Sequence, residues 1–246
     1  MARPIGHMIP RQTRGTGWGD SCLHAAGGFS FNMHFWWYFE WPTKIRARTL
    51  KSLKNNKDGI FISINALEYA ALVLNYIASL YYLVVTNSVV SDPNPIALLY
   101  VDNTTSKAWV KKGRKSSLIG RALGHIQEVF MMNSPMCMNS ARIATKDSKV
   151  ADRISCILTE ANLSTDMLPI FQDFPSLWSC TRFQPGAELI LLVLDTLLKK
   201  NSIDPLLLSR RIMENPGKTI TSSFATIWNS MIRAWTNNHR KPETTF

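Results

Sequence analysis

The hydrophobic period of the chain changes several times, and each change marks an element. Up to about residue 15, scattered Arg, Pro and Gly show no periodicity, which predicts a flexible lead. Residues 18–23 are a short segment flanked by glycine, Gly27-Gly28 offers a turn, and Phe29, Phe31, Met33, Phe35, Trp37 and Phe39 then alternate with Ser30, Asn32, His34, Trp36, Tyr38 and Glu40. Period two is the pattern of a β-hairpin, because successive strand side chains point to opposite faces. Pro42 lacks the N–H a ladder needs and ends or offsets the second strand, and a third short extended segment is expected around 45–49.

Residues 62–85 are too many for one strand, and their Leu, Ala and Tyr without Gly or Pro predict a long buried helix with Glu68 near its start. Asp92-Pro93-Asn94-Pro95 reads as a turn, and 96–101 is a continuous apolar run expected of a central strand covered on both faces, with Asp102 at its C-terminal tip. A short helix over 104–110 and a basic, glycine-containing loop follow. A second helix opens near Ser117, with Ile119, Ala122, Leu123, Ile126, Val129 and Phe130 on one face. Pro135 closes it, 136–145 offers one more strand, and Ser148 is placed to cap a helix that carries Asp152 in its first turn. Beyond Cys156 strand signals vanish, and 188–200, 205–213 and 222–236 read as helices separated by Pro and Ser. The order predicts an α/β domain with a mixed sheet and flanking helices, followed by a helical C-terminal extension that packs on the domain or stands apart from it.

Composition supports a real core: 46% of the 246 residues are apolar and 10% aromatic, richer in large side chains than disordered sequences. Lys and Arg number 28 against 17 Asp and Glu, and a formal charge of +11 points to a polyanion or an acidic membrane surface. The cations cluster at Lys44, Arg46, Arg48, Lys51, Lys54 and Lys57, and again at Lys107, Lys111, Lys112, Arg114, Lys115 and Arg121. Two stretches nearly free of matching acids are an electrostatic footprint for phosphates, set against a merely solvated face. From 69 to 91 there is no charged residue, so a membrane span has to be weighed. Asn75, Ser79, Asn87, several tyrosines and the preceding Glu68 favour a helix buried in protein. Cys22, Cys137, Cys156 and Cys180 lack any C-x-x-C or zinc-site spacing and read as buried thiols in a reducing compartment. Residues 1–19 carry no apolar signal run, so the cytoplasm or nucleus is expected.

Four acids occupy distinct positions: Asp20 in the first strand, Glu68 on the long helix, Asp102 at the tip of the central strand and Asp152 at the start of a helix. Singly, each reads as a turn, cap or surface residue. Glu68 and Asp102, however, have apolar neighbours, and carboxylates converging from such places repel unless a hard divalent cation such as Mg²⁺ neutralises them.

The segment from Gly19 to Ser30, Gly-Asp-Ser-Cys-Leu-His-Ala-Ala-Gly-Gly-Phe-Ser, resembles the first hairpin of the ribonuclease H-like domain in retroelement reverse transcriptases. Ile64-Asn65-Ala66-Leu67-Glu68 is similar to that family's helix with the second acid, Leu99-Tyr100-Val101-Asp102-Asn103-Thr104 to its strand-terminal Asp-Asn, and Lys149-Val150-Ala151-Asp152-Arg153-Ile154-Ser155 to its closing block. The blocks keep the family's order over residues 16–158. The finer likeness is to retrotransposons of the tyrosine-recombinase class in fungi, with a tail like Phe183-Gln184-Pro185-Gly186-Ala187-Glu188-Leu189.

The resemblance implies a lead at 1–15, a ribonuclease H-like domain at 16–158 and a helical extension at 159–246. It also implies hydrolysis of the RNA strand of an RNA-DNA hybrid with two Mg²⁺ ions, Mn²⁺ being the substitute. Asp20, Glu68, Asp102 and Asp152 would be both the catalytic and the metal-holding residues, around a metal pair about 4 Å apart. Nucleic-acid contacts are expected at Asn103, Lys107, Trp109, Lys111, Lys112, Arg114 and Lys115, and a reverse transcriptase polymerase domain is the partner expected in the parent element. The polymerase palm itself has no counterpart in this sequence, so a fragment or a domesticated relative is expected. No histidine matches the mobile catalytic His of some ribonucleases H, His125 falling instead on a helix surface. Tyr100-Val101-Asp102-Asn103 echoes the Tyr-x-Asp-Asp of a polymerase palm, but Asn103 stands where the second acid belongs and a helix is expected next. The rival readings are an inactive nucleic-acid-binding relic of the same fold and a membrane protein spanning through 62–85.

Overall fold

Among the described residues six strands form one mixed sheet, in the spatial order Cys137–Arg142 (β5), Ile96–Val101 (β4), Thr13–Ser21 (β1), Ala25–Ser30 (β2), Phe35–Glu40 (β3) and Thr181–Arg182 (β6). The computed structural model describes residues 12–54, 61–85, 95–112, 117–134, 136–157, 169–199 and 204–214. The lead before residue 12, the turn at 92–94, Lys57, Pro135 and the expected helix at 222–236 lie outside the described residues. Strands β1 (Thr13–Ser21), β2 (Ala25–Ser30) and β3 (Phe35–Glu40) make an antiparallel meander, while β4 (Ile96–Val101) and β5 (Cys137–Arg142) run parallel to β1. Parallel neighbours need crossovers, and helices supply them. α1 (Thr43–Leu53) and α2 (Ile64–Val85) join β3 to β4, and α3 (Thr104–Lys112) and α4 (Leu118–Met132) join β4 to β5. α5 (Lys149–Ser155) follows β5, and α6 (Pro169–Asp173), a 3₁₀ turn (Pro175–Ser179), α7 (Ala187–Leu197) and α8 (Pro205–Glu214) complete the described chain.

The first hairpin differs from the expected one. Gly27 and Gly28 do not turn the chain; they pair with Asp20 and Gly19 inside β2. What they provide is room: a Cβ on Gly27 would lie 2.3 Å from Ile154 Cγ2, and one on Gly28 would lie 2.6 Å from both Asn75 Oδ1 and Trp37 Nε1. The turns sit on either side instead. One is closed by Cys22 N–H on the Ala25 carbonyl (2.9 Å), the other by His34 N–H on that of Phe31 (3.2 Å), with His34 in the left-handed region at φ 53. The second turn splits the alternating run in two, so that Phe29 pairs with Trp36 on one face while Phe35, Trp37 and Phe39 face the other.

The extended segment expected at 45–49 is part of α1, because its buried residues, Ile45 and Thr49, recur at a spacing of four, one helical turn, rather than two. α2 is the helix the sequence predicts, and it packs along β1 with its residues 66–74, other than Glu68, buried. A window of it, Ile64–Leu83, is long and apolar enough to cross a membrane, yet 83% of that window is buried inside the fold. On α4, Ser117 caps the helix by accepting from Gly120 N–H (2.8 Å), and its predicted apolar face is buried except for Ala122, which is exposed. Ser148 precedes α5 without a side-chain cap bond.

The C-terminal region is not purely helical: β6 (Thr181–Arg182) adds to the edge of β3 in parallel. Nor does it stand apart, since Phe183, Leu189, Leu192, Val193, Leu197 and Leu208 share one apolar cluster with α2 and α4. A second, smaller cluster on the opposite sheet face joins Phe29 and Trp36 to Ala151, Ile154, Ile170, Phe171 and Leu177. Of the cysteines read as buried, only Cys180 is; Cys22 and Cys137 are half-buried and Cys156 is exposed.

Candidate functional site

The parallel register of β1 and β4 sets Trp18 beside Tyr100. Two residues further along both strands, on the same sheet face, stand Asp20 and Asp102, so the pairing brings the first and third acids together at the C-terminal edge of the sheet. Behind them, Phe29, Trp18 and Tyr100 stack as a ladder, with ring centroids 4.9 and 5.0 Å apart. That ladder holds the two strands in step.

Asp152 arrives on α5. The missing side chain of Gly27, which pairs with Asp20, lets Ile154 press onto the sheet, and Ser155 Oγ then donates to Asp20 Oδ2 (3.0 Å) and to the Asp152 carbonyl (2.9 Å). Glu68 arrives from the opposite face, because α2 lies close against β1, where a Cβ on Gly19 would meet the Ala71 carbonyl at 3.3 Å. All four acids are half-buried.

Their electrostatics record the convergence. Burial, then the charges of Asp20 and Asp102, push Glu68 up to about 8. The same causes in the same order push Asp152 up to about 6. Burial raises Asp20 as well, opposed by hydrogen bonds from Ser155 and the Ser21 backbone and reinforced by Asp102. Since Glu68 and Asp152 both feel Asp20 and Asp102, that pair occupies the middle of the cluster. Among the described residues, no cationic side chain figures among the influences on these three groups. Hydrogen bonds from Asn103 and Ser106 oppose the rise at Glu68; Asn103 Nδ2 also donates to Asn65 Oδ1 (2.8 Å) and Ser106 Oγ to the Asn65 carbonyl (3.3 Å). Glu68 Oε2 is left buried and without a hydrogen-bond partner. Among the described residues, no three His, Cys, Asp or Glu side chains form a group that could hold a metal ion as they stand.

The expected nucleic-acid contacts fare unevenly. Trp109 is a core residue, 6% exposed, edge-on to Tyr69 at 5.5 Å and packed over Gly120, so it offers no face for a base to stack on. The sequence misleads there because an indole among lysines also suits the buried side of a short amphipathic helix. Asn103 is half-buried and caps α3, its Oδ1 accepting from Thr105 N–H (2.7 Å) and Ser106 N–H (3.1 Å). Lys107 is half-buried on α3, the side chains of Lys111 and Lys112 lie outside the described residues, and so do Arg114 and Lys115 altogether. On α1, Lys44, Arg46 and Arg48 are half-buried and Lys51 is exposed, as is Lys54 just after it. His125 is exposed on α4.

Ser155 was not among the predicted site residues, although it sits in the Ala-Asp-x-Ile-Ser block; only the fold reveals that its hydroxyl reaches Asp20. Searches against protein-family models, curated proteins and solved structures find no match.

Proposed function

We propose that this chain is a divalent-metal-dependent nuclease of the ribonuclease H-like kind, acting on the RNA strand of RNA-DNA hybrids, with Asp20, Glu68, Asp102 and Asp152 as its metal-holding carboxylates. The mixed α/β sheet with flanking helices is compatible with that fold. The observation that carries the reading is the convergence of four acids from four separate elements on one edge of the sheet, with Asp20 and Asp102 acting on both Glu68 and Asp152.

The residues fit a pair of hard cations. The donors are all carboxylate oxygens, the preference of Mg²⁺ and Mn²⁺. One of those oxygens, Glu68 Oε2, is buried without a hydrogen-bond partner, and among the described residues no cationic side chain offsets the mutual repulsion of Asp20, Glu68 and Asp152. When bound, such ions supply charge neutralisation and Lewis acidity for phosphodiester hydrolysis. The chain's own contribution is placement. Ser155 and the Ser21 backbone fix the Asp20 carboxylate, and the aromatic ladder keeps β1 and β4 aligned. Asn65 ties the start of α3 to α2 through Asn103 and Ser106, next to Glu68. The net charge of +11 suits a polyanionic substrate, and a polymerase domain in a parent element and a cytoplasmic or nuclear setting complete the reading.

The test is cleavage of a labelled RNA-DNA hybrid with Mg²⁺ by wild type and Asp102→Asn. Cleavage by wild type, reduced by orders of magnitude in the variant, is expected, since the central pair of acids loses one charge. Equal rates would remove Asp102 from the site. A second reading is an inactive nucleic-acid-binding relic of the same fold, which the net charge of +11 suits without any chemistry. Hybrid binding without cleavage in either Mg²⁺ or Mn²⁺ would select it.

A further inference from the structure

Cys22 and Cys156 are remote in sequence and neighbours in the fold. Cys22 lies in the turn between β1 and β2, two residues after Asp20; Cys156 terminates α5, the helix that carries Asp152. Cys22 Sγ donates to the Ser155 carbonyl (3.3 Å) and accepts from His24 N–H (3.3 Å), so its sulfur is held one peptide away from Cys156. Cys156 Sγ lies 3.9 Å from Ser155 Oγ, so both sulfurs sit against Ser155. Cys156 is exposed, which gives a soluble oxidant access, and Cys22 is half-buried behind it. An exposed thiol with a second thiol anchored to the adjoining residue is the placement from which a dithiol closes. Burial, with Cys22 and Asp20, raises the Cys156 thiol, which makes the attack slow at neutral pH rather than forbidding it.

We propose that Cys22 and Cys156 form a reversible dithiol-disulfide pair whose partner is a small disulfide such as oxidised glutathione. Cys156, deprotonated, attacks one sulfur of the small disulfide; its S–S bond breaks, a Cys156 mixed disulfide forms, and one small thiolate leaves and takes up a proton. Cys22, deprotonated in turn, attacks Cys156 Sγ; the Cys22–Cys156 bond forms and the second small thiolate leaves. Two protein thiols are oxidised and one small disulfide is reduced to two thiols. The bond would tie the β1–β2 turn to the end of α5, on either side of the Ser155–Asp20 hydrogen bond, and so clamp two of the elements that carry the acid cluster. Cys180, whose thiol is buried and donates to the Ser176 carbonyl (3.8 Å), and Cys137 on β5 serve as internal controls. The proposal stands on the placement of the two sulfurs and does not depend on nuclease activity.

The experiment equilibrates the reduced full chain in glutathione buffers of graded oxidised-to-reduced ratio, quenches with an alkylating agent and maps the peptides by mass spectrometry. The expected result is a cross-linked Cys22–Cys156 peptide, a fall from four alkylatable thiols to two, and a thermal midpoint raised by about 4–16 °C, all reversed by dithiothreitol. Cys22→Ser should halt at a glutathione adduct on Cys156. The proposal fails if wild type stops at that adduct with Cys22 still alkylatable, if Cys156 instead bridges two chains, or if Cys22 and Cys156 stay reduced in fully oxidised glutathione. Because the wild-type map decides, a variant that folds poorly does not blunt the test.

Discussion

At the scale of single residues, Glu68 carries the sharpest consequence. Its carboxyl titrates at the ordinary 4.5 in the unfolded chain but at about 8 in the fold, because burial and the charges of Asp20 and Asp102 disfavour ionisation. The folded state therefore keeps the proton longer, and the associated stability is complete below about pH 4.5 and lost as pH rises through about 8. Asp152 acts in the same direction over a lower window, from 3.8 to about 6. Metal-free protein should lose thermal midpoint, on the order of 5 °C, between about pH 5 and 8. Glu68→Gln should flatten that slope and melt higher than wild type at the alkaline end. Mg²⁺ added there should raise the wild-type midpoint more than that of the variant, by binding only the folded state. A wild-type midpoint that is flat with pH, or one indifferent to Mg²⁺, would contradict the cluster as described. Glu68 was legible as a candidate because a charged residue opening an apolar helix is conspicuous; that one of its oxygens has no partner was not, since partners come from elements far along the chain.

Among elements, the decisive contact is that of α5 on β2. Glycine at position 27 lets Ile154 reach the sheet, and that approach in turn delivers Ser155 to Asp20. Gly27→Ala puts a methyl 2.3 Å from Ile154 Cγ2 and 3.1 Å from the Ile154 backbone, so the helix has to back away. A loss of about 1–3 kcal/mol is expected on urea unfolding, as for other overpacked sites. Stability unchanged within error would mean that α5 is held elsewhere. The same contact explains why Gly27-Gly28 misleads as a turn signal: glycine marks either a chain reversal or a close approach, and the sequence does not distinguish them. α1 illustrates a second ambiguity, since five residues around Ile45 fit a strand or a helix until burial at Ile45 and Thr49 selects the period of four.

For the whole molecule, the question is what the C-terminal region does for the sheet. Phe183 packs tilted and edge-on among Phe35, Tyr81 and Tyr82, β6 covers the edge of β3, and the leucines of α7 join the cluster beneath α2 and α4. Removing these groups uncovers apolar surface worth about 25 cal/mol per Å². Protein cut after residue 158 should melt lower than the full chain and bind a hydrophobic dye in its folded baseline. An unchanged midpoint would instead mark 159–246 as an independent appendage. The exposed edge of β3 would also become free to pair with other chains, so the cut protein should aggregate more readily.

What the sequence by itself determined was local: the buried helix over α2, the apolar strand β4 with Asp102 beyond its tip, the opening of α4 near Ser117, and four acids each set at a structurally distinct place. Those features follow from periodicity and from side-chain chemistry within a few residues, which a linear reading contains. Tertiary structure alone decided that Asp20 and Asp102 stand side by side, that Ser155 reaches across to Asp20, that Trp109 is core, and that Cys22 meets Cys156. Each of these is a contact between elements far apart in the chain, set by strand register and by which glycines let helices approach, and no local pattern encodes such a distance.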